Sequence, residues 1–180
     1  MVYNLKAIEK ITRRVGTNPT LQSWKGEFTL ANIEEKIESL TSKTINDLGY
    51  ELYDVQYVKE GKDYFLRIYI DSEKGIDLDD CEKVSNAITE LLDKEDYIKE
   101  QYFLEVSSPG IERVLRKDWQ LNKYLGEEVE IRLFKKDEYG QKEYIAKLIE
   151  VTEEYLKIQN EEKELKIDRK NISLVKWGKI

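Results

Sequence analysis

The spacing of apolar and polar positions between residues 30 and 106 predicts helices and strands in a definite order. From Ile33 to Leu48, side chains suited to one helix face recur every three or four residues, with Asn32 as a cap and Gly49 at the end. The segments YELYDVQYV and DYFLRIYI are rich in Tyr, Val and Ile, and the turn residues Lys59 to Lys62 separate them. This arrangement predicts an amphipathic helix followed by a β-hairpin.

A second helix and a third strand complete this part of the pattern. Asp77 precedes LDDCEKVSNAITELL, and Asp80 follows three residues later, which predicts a carboxylate cap at the start of a helix, with acidic residues at the positive end of its dipole. The strand YFLEV, from Tyr102 to Val106, should lie parallel to an earlier strand, because a helix connects them. We therefore predict a small α/β domain over residues 30–122, with the order helix, strand, strand, helix, strand.

Residues after Gly126 have a different pattern. EEVEIRLF, KEYIAKLIEVT, YLKIQ and KELKIDR are short alternating segments joined by polar turns, and residues 170–175 supply a turn and a closing strand. This pattern predicts a small all-β barrel over residues 123–180. The fold class is accordingly α+β.

The link between these two domains has the most distinctive local sequence. Ser107-Ser108-Pro109-Gly110 predicts a tight turn, because Pro presets φ at the second turn position and Gly accepts a positive φ at the third. The following segment, IERVLRKDWQLNKYL, is predicted to be helical. Backbone N–H groups at such a turn can bind an anion, with Arg113 contacting phosphate. Alternatively, Arg113 pairs with a carboxylate and braces two domains.

Residues 1–29 are predicted to be a poorly structured extension. Leu5, Ile8 and Ile11 could begin a short helix, but Gly16 and Asn18-Pro19 would break it. Lys25-Gly26-Glu27 can be encoded by a purine-rich stretch that resembles a bacterial ribosome-binding site. One hypothesis is therefore that Leu30 is the true initiator and that the preceding residues are leader.

The amino-acid composition excludes several kinds of catalytic, metal-binding and disulfide chemistry. The 180 residues include no histidine and one cysteine, Cys81, so Ser-His and Cys-His nucleophiles, the common zinc sites and an internal disulfide are excluded. The sequence has no apolar run of membrane-spanning length and no signal peptide pattern at its N-terminus. We expect a cytoplasmic protein.

The charge is unevenly distributed along the chain. The total is −7, and residues 1–29 contribute five Lys and Arg against two Glu, which leaves −10 for residues 30–180. Non-specific nucleic-acid binding depends on Lys and Arg, so any RNA contact should be local. An acidic surface can attract basic proteins, although it can also serve solubility alone.

Two other functions are compatible with parts of the sequence. The small all-β barrel could act as an autonomous RNA-binding regulator, although the acidic balance opposes this. Asp77, Asp79 and Asp80 could hold a divalent cation in a metal-dependent enzyme, since hard cations take carboxylate ligands. Helix capping explains the same acidic residues, and the sequence offers no accompanying nucleophile or base.

The sequence resembles the ribosome maturation factor RimP family over roughly residues 30–177. The most specific match is LEVSSPGIER, from Leu104 to Arg113, and GYELYDVQYV and IDLDDCEKVS support it. Family members carry an acidic residue and then Arg-Pro-Leu after the Pro-Gly pair. Here Glu112, Arg113 and Leu115 match, whereas Val114 stands at the usual proline position and loosens the backbone there.

This resemblance implies an α/β domain followed by an Sm-like or SH3-like barrel, in a monomeric, non-enzymatic factor without a cofactor. It implies action late in assembly of the small (30S) ribosomal subunit, near the decoding region, with rRNA and a basic ribosomal protein as partners. The residues expected to bind rRNA or to form a rigid interdomain turn are Ser107, Ser108, Pro109, Gly110 and Arg113. No metal-ligating or catalytic residue is expected.

Overall fold

The computed structural model describes residues 11–15, 30–160 and 163–178 of the chain. It divides into two compact units, Met1–Pro109 and Gly110–Ile180. The division falls earlier than the predicted boundary after residue 122. Within the described residues, no helix is long and apolar enough to cross a bilayer.

The first unit has the predicted order of elements. Helix α1 (Leu30–Asp47) precedes strands β2 (Glu51–Glu60) and β3 (Asp63–Asp71), and helix α2 (Leu78–Glu95) leads to strand β4 (Tyr102–Ser107). The predicted helix, strand, strand, helix, strand order is confirmed. Asn32 lies inside α1 and is not its cap, whereas Gly49 follows the helix with the positive φ of 91° that helix-ending glycines commonly adopt.

The four strands of this unit form one sheet in the order β1-β4-β3-β2, where β1 is Ile11–Val15. β2 and β3 form the predicted antiparallel hairpin, and β3 pairs with β4 in parallel. A parallel pair cannot be joined by a tight turn, so the chain crosses over through α2. The prediction of a parallel third strand is confirmed.

One face of this sheet packs on both helices and forms a single core. Leu66 and Ile68 of β3 and Leu104 and Val106 of β4 are completely buried at its centre. Alternate positions of β3 and β4 point to this face, as the period of a β-strand requires. The helices contribute their buried stripes, which comprise Ile33, Ile37, Ile45, Cys81, Val84, Ile88 and Leu92.

The N-terminal residues differ from the sequence prediction where the structure describes them. Residues 11–15 form β1, which pairs antiparallel with β4 from Ile11 opposite Val106 to Val15 opposite Tyr102. The predicted short helix therefore does not include Ile11. Its other positions, Leu5 and Ile8, and the proposed leader sequence around Lys25 lie outside the described residues.

The second unit begins with elements that sequence periodicity did not predict. The segment 111–125, predicted to be helical throughout, contains a two-residue strand β5 (Arg113–Val114) and a short helix α3 (Asp118–Lys123). The helical prediction is therefore wrong for residues 111–117. Ile111, Val114 and Leu115 have the i, i+3, i+4 spacing of a helix face. Val114 and Leu115 bond instead to a strand near the C-terminus, and the Leu115 N–H donates to the Val175 carbonyl at 2.9 Å.

The predicted strands that follow are confirmed. They are β6 (Glu128–Leu133), β7 (Glu143–Val151), β8 (Tyr155–Asn160), β9 (Lys163–Asp168) and, after a short 3-10 helix (Arg169–Asn171), β10 (Ile172–Trp177). Together with β5, these five strands form a six-stranded sheet in the order β5-β10-β6-β7-β8-β9. In the described part of the chain β5 and β9 are the two ends of this order, so the predicted closed barrel is not confirmed.

Alternation along these strands builds a second core. Val129, Ile131, Leu148 and Ile158 are completely buried in it. Further members are Leu115, Leu121, Tyr124, Leu133, Tyr144, Ala146, Leu156, Ile167 and Val175. Each unit therefore has its own hydrophobic core.

Candidate functional site

Strand β4 positions Ser107, the first residue of the predicted site. Leu104 and Val106 point into the core, so Glu105 and Ser107 point to the opposite face of the sheet. Ser107 is the last residue of the strand, is buried, and is paired with Tyr69 of β3. The parallel register with β3 therefore fixes where the strand ends and the turn begins.

The turn has the backbone conformation that the sequence predicts at its glycine. Ser108 and Pro109 are half-buried, and Gly110 has a φ of 77°. A side chain at this φ would be strained, so glycine is required here by geometry. The predicted positive φ is confirmed.

Arg113 is held by strand pairing. It lies in β5 opposite Trp177 of β10 and is half-buried. Trp177 in turn stacks on Tyr124, with ring centroids 4.4 Å apart. The predicted site residues are thus divided, since Ser107, Ser108 and Pro109 end the first unit while Gly110 and Arg113 begin the second.

Gly178, the residue that follows β10, lies very close to the backbone of Ile111 and Glu112, which precede Arg113. A Cβ atom at Gly178, whose φ is 154°, would lie 2.5 Å from the Ile111 carbonyl oxygen and 2.9 Å from Glu112 Cα. Lys176 also forms an ion pair with Glu112 at 3.3 Å. Gly178 therefore permits a close backbone approach that helps hold residues 111–113, a role that sequence analysis did not find.

A buried ion pair lies on the polar face of the first sheet. Arg67 Nε is 2.8 Å from a Glu105 carboxylate oxygen, and Arg67 Nη2 is 2.7 Å from Glu60. The Glu105 side chain is only 5% exposed. Although burial opposes the guanidinium charge, the hydrogen bonds to Glu105 and Glu60 raise the pKa of Arg67 above its ordinary value.

Two aromatic rings support this ion pair. Phe65 and Phe103, on neighbouring strands, are stacked with centroids 5.4 Å apart, and Arg67 Cζ lies 5.4 Å from the Phe65 centroid. The stacking restricts the guanidinium to one side of the sheet. Sequence analysis missed the pair, although the acidic Glu105 within the apolar strand YFLEV was a signal for it.

The acidic residues before α2 form the predicted cap. The Asp77 carboxylate accepts from the Asp80 N–H at 3.0 Å, and the Asp80 carboxylate accepts from the Asp77 N–H at 3.1 Å. Tyr50 also donates its hydroxyl to Asp80. This hydrogen bond lowers the pKa of Asp80 and raises the pKa of Tyr50 to about 12.

The proposed use of Asp77, Asp79 and Asp80 as metal ligands gains no support from this arrangement. Within the described residues, no group of three or more His, Cys, Asp and Glu side chains is placed to hold a metal ion. Asp77 and Asp80 are directed at backbone donors of the helix start. The carboxylates are therefore explained by capping.

The fold and these contacts define a two-unit α+β protein, and the chain passes from the first unit to the second within the segment Ser107-Ser108-Pro109-Gly110. Residues 40–112 match the family model of the RimP N-terminal domain, RimP_N. The match includes LEVSSPG and ends one residue before Arg113. The chain thus carries a RimP N-terminal domain, which confirms the predicted family, whose members are ribosome maturation factors.

Gly178→Ala is expected to destabilise the protein by about 1–3 kcal/mol, because the new Cβ would overlap the Ile111 backbone at a positive φ. Gly140→Ala is the matched control, since it has a φ of 76° and nothing within 4 Å of its Cβ. Thermal unfolding and the amide chemical shifts of residues 111–113 measure the effect. Equal losses for both variants, without shifts at 111–113, would show that the close approach is unimportant.

Arg67→Ala is expected to lower the free energy of unfolding by about 3 kcal/mol, because it leaves the Glu105 carboxylate buried without its guanidinium. Lys43→Ala, which removes an exposed pair with Asp47, should cost about 0.5 kcal/mol or less. Urea unfolding measures both changes. The double replacement Arg67→Met with Glu105→Leu should recover most of the loss, and a failure to do so would argue that the unpaired Glu105 carboxylate is not its cause.

Tyr50→Phe is expected to raise the pKa of Asp80, because the carboxylate loses the hydrogen bond that lowers it most. A depressed carboxyl pKa adds stability above the unfolded pKa, and that stability is lost as pH falls through the folded pKa. The cost of Tyr50→Phe should therefore be larger at neutral pH than in acid. Carbon NMR titration of Asp80 and urea unfolding at both pH values test this.

The control for this titration is Tyr97→Phe, because Tyr97 is an exposed tyrosine whose ring contacts Lys36 and not Asp80. It should leave the Asp80 titration unchanged. An Asp80 pKa equally unaffected by Tyr50→Phe would refute the proposed cause.

Proposed function

We propose that this protein is a non-enzymatic assembly factor required for maturation of the small (30S) ribosomal subunit. It binds the immature subunit through local contacts with rRNA and with a basic ribosomal protein. It acts in the cytoplasm as a monomer and performs no covalent chemistry. The match of residues 40–112 to the RimP N-terminal domain is the observation that carries this proposal.

The charge distribution supports binding through a few local contacts. Residues 30–180 carry −10, so the long negative backbone of RNA is repelled by most of the surface. Contacts with rRNA must then be made where a cation is presented locally. The turn after β4 offers such a place, because Arg113 follows Gly110 by three residues, and Gly110 has the φ of 77° that a tight turn requires.

In this proposal Ser107, Ser108, Pro109 and Gly110 form a rigid turn presented to the immature subunit. Arg113 contacts an rRNA phosphate, for which a guanidinium fork is well suited. The alternative role for Arg113 is to brace the turn without touching RNA. The second unit, proposed as the Sm-like module of the family, provides the surface for the basic ribosomal protein.

Tagged protein sedimented with ribosomal particles tests the function directly. We expect enrichment on immature small subunits and little protein on mature ones. Arg113→Ala should reduce this association by about tenfold, equivalent to about 1.4 kcal/mol, with the melting temperature unchanged. Arg132→Ala is the control, since Arg132 is an exposed arginine that pairs with Glu130 on β6.

Two results would contradict these proposals separately. Equal distribution of the wild-type protein over immature and mature particles, or none on either, would refute the assembly function. A clear fall in melting temperature for Arg113→Ala, with particle binding retained, would assign Arg113 to bracing and remove it from the binding residues.

A further inference from the structure

The second unit contains a groove that the proposed site does not use. Its volume is about 320 Å³, and it lies between strand β9 and the loop that joins β6 to β7. Leu133 and Ile167, both buried core residues, provide its apolar lining. The other lining residues are Asp137, Glu138, Tyr139, Glu164, Leu165, Lys166, Asp168 and Asn171.

One wall of the groove is an edge strand. β9 pairs with β8 from Lys163 opposite Asn160 to Asp168 opposite Tyr155, and it ends the strand order of the sheet among the described residues. An edge strand presents backbone donors and acceptors that an added strand can pair with. Because the described strands do not close the sheet at β9, the groove follows a surface suited to strand addition.

The opposite wall is a loop held in place by hydrogen bonds. The Asp137 carboxylate accepts from the N–H groups of Tyr139 and Gln141 at 3.0 and 2.9 Å, and from the Tyr144 hydroxyl. The loop is also tied at its start, where the side chain of Asn171 bonds both the N–H and the carbonyl of Lys135. The wall is therefore preformed, which reduces the entropic cost of binding.

The groove is acidic although the unit is nearly neutral. Four carboxylates line it, those of Asp137, Glu138, Glu164 and Asp168, against the ammonium group of Lys166. Glu164 pairs with Lys157 at 2.9 Å, and Lys166 lies over the Tyr155 ring, so the negative charge exceeds the positive even when Lys157 is included. Residues 126–180 as a whole have 12 Lys and Arg against 13 Asp and Glu.

An exposed aromatic ring stands at the same groove. Tyr139 is 63% exposed and follows Glu138 on the loop wall. A ring beside carboxylates suits a cationic side chain, which can lie over the ring face while pairing with the acid. The backbone groups at the edge of β9, the acidic lining and the Tyr139 ring together favour an extended ligand with cationic side chains.

We propose that this groove binds an extended, Lys- and Arg-rich segment of a partner protein, which pairs with the open edge of β9. Alternate side chains of the bound strand face the groove, where they meet the carboxylates and Tyr139. The inference rests on the proposed function in one respect, because it locates there the surface for the basic ribosomal protein. Binding of the basic strand itself does not require that function.

RNA and a second copy of this chain fit the groove less well. The four carboxylates would repel a phosphate backbone, and among the lining residues Lys166 alone carries a cation for phosphate contacts. A second copy would bring two acidic grooves together, since the groove of each chain is lined by Asp137, Glu138, Glu164 and Asp168. RNA and a second copy of the chain are therefore tested as alternative ligands of the groove.

A short peptide of alternating arginine and valine is the probe for direct binding. Titration of the full protein with this peptide should shift the amide resonances of residues 137–139 and 164–168, and binding should weaken as salt is added. The same peptide with N-methylated backbone should bind at least about tenfold more weakly, equal to about 1.4 kcal/mol, if strand pairing contributes. Equal binding of both peptides would overturn strand addition.

The charge test uses two matched double variants. Glu138→Lys with Glu164→Lys reverses the groove, whereas Glu128→Lys with Glu143→Lys reverses the same charge on β6 and β7 outside the groove lining. Each pair loses one ion-paired carboxylate, Glu164 in the first and Glu143 in the second. The groove variant should lose at least about tenfold in peptide affinity, about 1.4 kcal/mol, and the control should lose little.

The aromatic test compares Tyr139→Ala with Phe134→Ala. Both rings are more than half exposed, but Phe134 is not part of the groove lining. We expect Tyr139→Ala to weaken peptide binding and Phe134→Ala to leave it unchanged. If any variant unfolds, the resonance shifts of the wild-type protein decide the location, and shifts outside residues 133–139 and 164–171 would overturn the proposal.

Two further measurements separate this inference from the proposed function. Tighter binding of single-stranded oligouridylate than of the peptide, or a dimer of free protein abolished by Glu164→Lys, would overturn the groove assignment. Groove variants that bind the peptide and immature subunits as well as wild type would also overturn it, with the assembly function intact. Peptide binding at the groove without enrichment on immature subunits would support the groove and refute the assembly function.

Discussion

The parallel pairing of β3 with β4 is the constraint on which the first unit depends. Leu66 lies opposite Leu104 and Ile68 opposite Val106, and all four side chains are completely buried. Because no tight turn can join parallel strands, the chain crosses the sheet through α2, which packs beside α1 in the same core. The same pairing fixes the residue at which β4 ends, and therefore the position of the Ser-Ser-Pro-Gly turn.

The polar face of this sheet makes that register specific. A shift of β4 by one residue would turn Glu105 into the core and Leu104 out of it. Glu105 is tolerated in its present position because Arg67 lies 2.8 Å away on the paired strand. A buried ion pair of this kind adds little net stability, but it strongly disfavours arrangements in which either partner is buried alone. The pair thus helps determine how the chain enters the turn.

The local sequence pattern was sufficient to predict much of the fold and part of the candidate site. The periodicity of α1 and α2, the alternation of β6 to β9 and the turn chemistry of Gly110 all act within a few residues, and the sequence predicted each of them. Residues 111–117 were predicted wrongly because Val114 and Leu115 are held by β10, which is distant in sequence. The Arg67–Glu105 pair, the Gly178 approach and the groove beside β9 also depend on distant partners. Alternation predicts that strands exist, but not whether the two ends of a sheet meet.

Net charge and charge placement have different consequences in this protein. The acidic residues of the first unit set the overall repulsion of nucleic acid, which acts over distances comparable to the Debye length. The second unit is nearly neutral, so it exerts little long-range attraction on a basic partner. Lys135 and Lys136, which directly precede the acidic loop wall, reduce this attraction further. Recognition at the β9 groove must therefore occur at contact distance, where backbone pairing and individual carboxylates discriminate. Such a surface selects an extended basic segment by its shape as well as by its charge, which a uniformly acidic surface could not do.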